Sequence, residues 1–314
     1  MMVAKDPITI DIIATYQCNY QCDYCFLGKY RNRREVIPPE IISKRLYEIS
    51  KLKMIREINL YGGEISLLHI NYIDEVISIL SDYVKPNIIT NLSNWNFLEY
   101  LNKKNVTIST SLNDERMNNH FLENKLYQTD CSNLSILQVV TPTLLKEDMN
   151  ILMTRLYLID SLFSFLRYSP SLNSNIRYHI TNRAYADFIK KVIQSFPGRT
   201  TNEEELLKCL TGEYDPRMRS HIFLNPEGHW MSVQFDNGLE YFKEYRNLNE
   251  WKIDCFREEV EYFTRCSNCK YFGRCYSEHI KVSQDHDECC GLYSLLSWYD
   301  DFLKAGTMRE IFKK

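Results

Sequence analysis

Long apolar runs are missing from this 314-residue chain, and so is an excess of basic charge. No stretch reaches membrane-spanning length. The opening residues, Met1 to Pro7, pass straight into an apolar strand without the hydrophobic core of a signal peptide. A protein of the cytoplasm, away from any membrane, is expected. Lys and Arg total 38 against 41 Asp and Glu and are dispersed, so the basic footprint of a dedicated nucleic-acid binder is absent. No nucleic-acid partner is expected. Complete pairing is lacking as well: the chain has 11 cysteines, an odd number, and a reducing cytoplasm rarely sustains disulfides. Metal clusters account for so many thiols better than disulfides do.

Three of the cysteines, Cys18, Cys22 and Cys25, fall within one short stretch. Bare thiols gain little from crowding, whereas an inorganic centre collects them. The spacing suits a cubane iron-sulfur cluster, which normally takes four protein ligands. No His or Cys follows Cys25 closely enough to complete a local zinc site. A structural zinc ion and three unrelated buried thiols are the alternatives.

Periodicity places this stretch. Residues 7–14 are β-branched and apolar, as in a strand buried on both faces of a parallel sheet, so the cysteines follow a strand end. Pro38 and Pro39 open a helix with Ile42, Leu46 and Ile49 on one face. A second strand, 57–61, runs into Gly62-Gly63-Glu64: glycines that let backbone approach a ligand, and a carboxylate able to hold an ammonium group. A helix with Ile70, Ile73, Val76, Ile77 and Leu80 on one face follows, then strands 87–91, 106–112, 134–141 and 163–168, and a last helix over 181–196. Six β/α units over 7–196 predict an α/β fold with a parallel sheet. The pattern alone leaves a barrel and a doubly wound sheet both open. Beyond residue 199 the texture changes, and 220–234 reads as a hairpin.

The stretch Cys18-x3-Cys22-x-Tyr24-Cys25 resembles the signature of the radical S-adenosylmethionine (radical SAM) superfamily, Cys-x3-Cys-x-aromatic-Cys, with Tyr24 at the aromatic position. The resemblance implies a partial (β/α)6 TIM-like barrel over residues 1–198. It also implies a 4Fe-4S cluster on Cys18, Cys22 and Cys25, with S-adenosyl-L-methionine (SAM) on its fourth iron. Reductive cleavage of SAM to a 5'-deoxyadenosyl radical is the implied chemistry, supplied by the cofactor and positioned by the protein. Gly62, Gly63 and Glu64 match the family segment that contacts the methionyl amino group, with Ile65 where a proline is common. Asn91 and Ser111 stand where the family holds the ribose and carboxylate; ordinary polar closure of a strand is the alternative for each. Where many relatives have Ser-Leu-Asp-Gly, this chain has Ser111-Leu112-Asn113-Asp114. Arg167 and Tyr168 are candidates for the substrate side or for packing.

Further on, Cys266-x2-Cys269-x5-Cys275, with Cys289 and Cys290 downstream, resembles the SPASM domain, an extension that binds auxiliary iron-sulfur clusters. The resemblance implies a small cysteine-rich domain over 199–314. A complete SPASM domain holds two clusters, but Ser232 or Val233 and His279 stand at positions that normally carry cysteine. One auxiliary 4Fe-4S cluster is therefore expected, on Cys266, Cys269, Cys275 and Cys290, with Cys289 as the other choice for the fourth ligand. Four thiolates suit zinc as well. Cys209 and Cys255 lie near family positions without partners, and Cys131 is expected to be a core thiol.

SPASM relatives mostly oxidise or crosslink residues of a peptide or protein, which is the first functional expectation. Electrons would come from a flavodoxin- or ferredoxin-type donor. A small-molecule dehydrogenase, acting on a carbohydrate or on a cofactor or antibiotic precursor, is the second. A non-catalytic adaptor is the third, and the retained Glu64 argues against it. With only a few residues before the first strand, a peptide is expected to need direct recognition or a separate adaptor.

Overall fold

The computed structural model describes residues 6–22, 25–112, 126, 133–159, 161–167, 178, 180–213, 221–233, 242–275 and 292–305. They fall into two compact units, Met1–Thr110 with Arg217–Glu261, and Ser111–Pro216 with Tyr262–Lys314.

The first unit is built on β1 (Pro7–Ile13), whose seven residues are all buried, as its β-branched run requires. On one edge β1 pairs in parallel with β2 (Met54–Tyr61), which continues through β3 (Asn87–Ile89) to β4 (Thr107–Leu112), all parallel. On the other edge β1 pairs in parallel with β7 (His221–Leu224). The predicted hairpin is present: β8 (Trp230–Val233) returns antiparallel to β7, and a third strand, β9 (Phe242–Tyr245), pairs antiparallel to β8. Helix α1 (Pro39–Ser50) starts on Pro39 and buries Ile42, Leu46 and Ile49, as their spacing demands. Helix α2 (Ile70–Ser81) is capped by His69 and buries Ile73, Val76, Ile77 and Leu80. Ile70, expected on that face, is 39% exposed because it is the first residue of the helix, where no preceding turn covers it. Asn94 caps α3 (Trp95–Leu101) through the Phe97 N–H.

In the second unit β5 (Leu134–Val140) and β6 (Leu162–Arg167) pair in parallel. Helices α4 (Met149–Leu158), α5 (Asn182–Ser195) and α6 (Thr201–Thr211) carry side-chain caps from Asp148, Thr181 and Thr200. Helix α7 (Leu248–Cys266), which begins in the first unit, leads into the second cysteine group, and α8 (Tyr293–Lys304) packs on α5 and α6. Glu203 on α6 is buried, accepting from the Gly198 N–H (2.6 Å) and the Tyr299 hydroxyl of α8 (3.2 Å). No helix among the described residues is long and apolar enough to cross a membrane.

Candidate functional site

The cysteine loop leaves β1 through a closed neck. Ala14 N–H donates to the Tyr61 carbonyl (2.7 Å), Ile37 N–H donates to the Ala14 carbonyl (3.0 Å), and Thr15 bridges Val36 antiparallel. Residues 16–22 and 25–35 therefore belong to one loop beyond the strand end. Inside it the Tyr20 N–H donates to Cys18 Sγ (3.4 Å), the Cys25 N–H to the Cys22 carbonyl (3.1 Å) and the Gly28 N–H to the Cys25 carbonyl (2.9 Å). Cys18 and Cys22 are half-buried and Cys25 is exposed. Although Cys25 shows surface to solvent, protein atoms crowd its sulfur and raise its thiol pKa; a backbone hydrogen bond at Leu27 opposes this, and Cys22 and Cys18 add to the rise. Cys25 thus lies within the field of both Cys22 and Cys18. Among the described residues no three His, Cys, Asp or Glu side chains close on one point as they would around a single metal ion. A cubane binds each thiolate to a different iron, so its ligands stand further apart than those of one ion. Tyr24 lies outside the described residues.

Gly62 and Gly63 form the other wall of the neck. The Gly63 N–H donates to the Thr15 carbonyl and the Glu64 N–H to the Gln17 carbonyl, both at 2.7 Å. A Cβ on Gly63 would stand 1.8 Å from the Gln17 oxygen, and one on Gly62 2.3 Å from the Thr15 oxygen. The glycines are thus required by backbone packed on backbone, a tighter demand than the approach of a ligand. Glu64, 1% exposed, turns inward. Its Oε1 accepts from the Thr90 hydroxyl (2.6 Å) and the Ser66 N–H (3.0 Å), and its Oε2 accepts from the Asn91 N–H (2.6 Å). A carboxylate has about four acceptor sites, so roughly one remains for another donor.

Glu64 thereby ties the end of β2 to the end of β3. There the chain turns through Leu92, whose φ of 57° is the left-handed conformation in a non-glycine residue. Asn91 holds this turn by accepting from the Ser93 N–H (2.9 Å) and points its amide at the cysteine loop: Nδ2 donates to Asn19 Oδ1 (2.8 Å) and lies 3.9 Å from Cys18 Sγ. Asn19 donates in turn to Ser93 Oγ (2.8 Å). Of the residues expected to hold SAM, Gly62, Gly63, Glu64 and Asn91 are thus brought together around Cys18. Ser111 is half-buried near the end of β4, in the second unit.

Sequence reasoning missed a polar row on the β1 face that carries Thr9, Asp11 and Ile13. Ser109 donates to Asn87 Oδ1 (3.0 Å), Asn87 to Asn59 Oδ1 (2.8 Å) and Asn59 to Asp11 Oδ1 (2.8 Å). His221 Nε2 approaches Asp11 Oδ2 to 2.7 Å, close in distance but not aligned as a hydrogen bond. The row spans β4, β3, β2, β1 and β7. Two residues further along β1, about 7 Å toward the cysteine loop, Ile13 packs in a cluster with Tyr16, Leu27, Phe223, Met231 and Phe242. Ring contacts run from His221 to Phe223 (4.7 Å), to Phe242 (5.0 Å) and to Phe26 beside Cys25 (5.5 Å). Such a row can bind polar groups. Its signal in the sequence was an aspartate in the middle of an apolar strand.

The second cysteine group follows α7. Cys266 and Cys275 are buried and Cys269 is half-buried. The Cys269 N–H donates to the Cys266 carbonyl (2.8 Å), and the Tyr271 N–H to Cys269 Sγ (3.5 Å), the same amide-to-sulfur turn that Cys18 makes. Cys289, Cys290, His279, Cys131 and Tyr168 lie outside the described residues. Ser232 Oγ sits 2.5 Å from the Tyr245 hydroxyl, which donates to Asp254 (3.0 Å) beside Lys243. Burial opposes ionisation of Asp254, but the hydrogen bonds from Lys243 and Tyr245 outweigh it and hold its pKa below the usual carboxylate range.

No protein-family model and no curated protein matches the chain. Solved structures do. The structure of native anSMEcpe with bound AdoMet and Kp18Cys peptide superposes with a TM-score of 0.65 at 14% identity, over 97% of this chain and 98% of that one. Streptococcus suis SuiB bound to S-adenosylmethionine gives 0.60 at 17% identity, over 92% of this chain and 76% of that one. SuiB bound to the precursor peptide SuiA gives 0.60 at 16%, over 92% and 75%. At these identities the likeness establishes the fold alone, a partial α/β barrel with a parallel sheet.

Proposed function

We propose that the chain is a radical SAM enzyme that modifies a peptide or protein. The observation that carries the reading is the convergence, around one strand end, of Cys18, Cys22 and Cys25 with the Gly62–Glu64 turn and Asn91. In this reading the three cysteines hold a 4Fe-4S cluster, and Tyr24, Gly62, Gly63, Glu64, Asn91 and Ser111 border SAM. The thiols fit the group: all three stand on the one loop beyond β1, Cys22 and Cys18 lie close enough to Cys25 to act on it electrostatically, and Cys18 already accepts an amide hydrogen bond of the kind that supports a thiolate. When bound, the reduced cluster and SAM supply a 5'-deoxyadenosyl radical able to remove a hydrogen atom from an unactivated carbon. The chain's own residues do the positioning. The neck at Thr15 and Val36 fixes the loop, Glu64 holds Asn91, and the remaining acceptor site of Glu64 is available to an ammonium group.

The SPASM-like assignment of residues 199–314, with one auxiliary 4Fe-4S cluster on Cys266, Cys269, Cys275 and Cys290 or Cys289, belongs to the same proposal, as does a core over 1–198. So do a cytoplasmic location and a flavodoxin- or ferredoxin-type donor. The peptide substrate is supported by neighbours of this fold solved with peptides. The test is anaerobic incubation of the reconstituted protein with SAM and dithionite, following 5'-deoxyadenosine by mass spectrometry, with and without short peptides encoded beside its gene. Formation that one such peptide accelerates, with a matching mass change in the peptide, is expected. Acceleration by a sugar or amino-alcohol instead would select the small-molecule enzyme, and no SAM cleavage would contradict the proposal.

A further inference from the structure

The turn between β7 and β8 reaches back to the cysteine loop. Glu227, at that turn, accepts from the Tyr16 hydroxyl through Oε2 (3.1 Å) and from Arg33 Nη1 through Oε1 (2.9 Å). Tyr16 precedes Cys18 by two residues and Arg33 follows Cys25 by eight, so one carboxylate joins the two stems of the loop. The stems also meet directly. Tyr16 stacks on Tyr30 with ring centroids 5.0 Å apart, the Arg33 guanidinium covers both rings, and Gln17 Nε2 donates to the Arg34 carbonyl (3.2 Å).

The turn is itself anchored. Arg45 of α1 donates from Nε to the Gly228 carbonyl (2.9 Å), and a Cβ at Gly228 would come within 2.8 Å of Ile41. The Gly228 φ of 80° adds the usual need for glycine. Asn225 fastens the other side by accepting from the His229 N–H through its side chain (2.7 Å).

Exposure separates the contributions. The Arg33 side chain is 52% exposed and that of Glu227 27%, and an ion pair so placed adds little. Tyr16 is 3% exposed, and its hydroxyl-to-carboxylate bond is charge-assisted and part-buried. That bond is the clasp.

We infer that Glu227 is a positioning residue that holds the neck of the cysteine loop through Tyr16 and so governs how tightly the loop retains its cluster. The inference rests on the proposed cluster at Cys18, Cys22 and Cys25. Glu227 acts through Tyr16 and Arg33, not on the metal.

The experiment compares full-length reconstituted wild type with Glu227→Gln, Tyr16→Phe and Arg33→Gln. It measures the anaerobic release of iron to a chelator, the electron paramagnetic resonance spectrum with SAM, and urea unfolding. The informative phase of iron release is the one missing from a Cys18/Cys22/Cys25→Ala protein. It is expected to quicken roughly tenfold in Glu227→Gln and in Tyr16→Phe, a rate change equivalent to about 1.4 kcal/mol, and about twofold at most in Arg33→Gln. The spectrum should shift in the first two, with unfolding midpoints near wild type. Unchanged release and spectra in Tyr16→Phe would overturn the inference even if Glu227→Gln fails to fold. A wild-type protein that binds no iron at those cysteines would instead overturn the cluster reading beneath it.

Discussion

Glu64 serves the fold before it serves any ligand. Its carboxylate satisfies the buried Asn91 N–H and the Thr90 hydroxyl, and with them it sets the left-handed turn at Leu92 that aims Asn91 at Cys18. Glu64→Gln puts an amide donor where one of these donors now finds an oxygen. The expected cost is about 2 kcal/mol of stability, the order of a charge-assisted bond lost in a buried site, read from urea unfolding; an unchanged midpoint would contradict this. Glu203 gives a pH signature. Burial raises its pKa, and the bonds from Gly198 and Tyr299 offset this only in part. The folded state therefore binds more protons than the unfolded state between the ordinary and the raised value, and stability falls as pH climbs through that window. Glu203→Gln should lack this slope, so its deficit relative to wild type narrows as pH rises from the ordinary glutamate range to neutrality. Thermal unfolding at several pH values checks it, and parallel curves for the two proteins would refute it. Neither network was legible in the sequence, because a carboxylate's partners are set by strand ends and helices distant in the chain. The residues themselves were partly legible: Glu64 stood out from its Gly-Gly context, whereas Glu203 looked like any helix glutamate.

At the scale of elements, the Gly62-Gly63 turn and the strand it grips are the mechanical unit. The sequence marked this turn, but it did not show the backbone pressed against Gly63, which belongs to Gln17. Gly63→Ala cannot be accommodated by a side-chain shift. It should cost at least about 2 kcal/mol and weaken iron retention, assayed by unfolding and iron content together; a stable, fully loaded Ala variant would show that the neck opens freely. Helices α1 and α2 follow from a period of 3.6, apart from Ile70, which the first turn of α2 leaves exposed, and β1 follows from its continuous β-branched run. The hairpin's turn chemistry was visible in Asn225-Pro226-Glu227-Gly228. Its place beside β1 was not, since a pairing between residues 9 and 221 leaves no local trace. The same distance hid the Asp11 and His221 approach and the Glu227 clasp.

For the whole molecule, the order of β/α units pointed to the α/β fold that the comparisons bear out. What the sequence left open between barrel and doubly wound sheet is settled by that likeness in fold. The central claim is chemical: the loop after β1 carries a cluster to which SAM binds. The most direct measurement is iron and sulfide content, together with electron paramagnetic resonance, on anaerobically reconstituted wild type and Cys18/Cys22/Cys25→Ala, each with and without SAM. About eight irons per chain falling to about four in the variant, with a reduced signal that SAM perturbs only in the wild type, is the predicted result. Equal iron in both proteins, or a wild-type signal indifferent to SAM, would contradict the account.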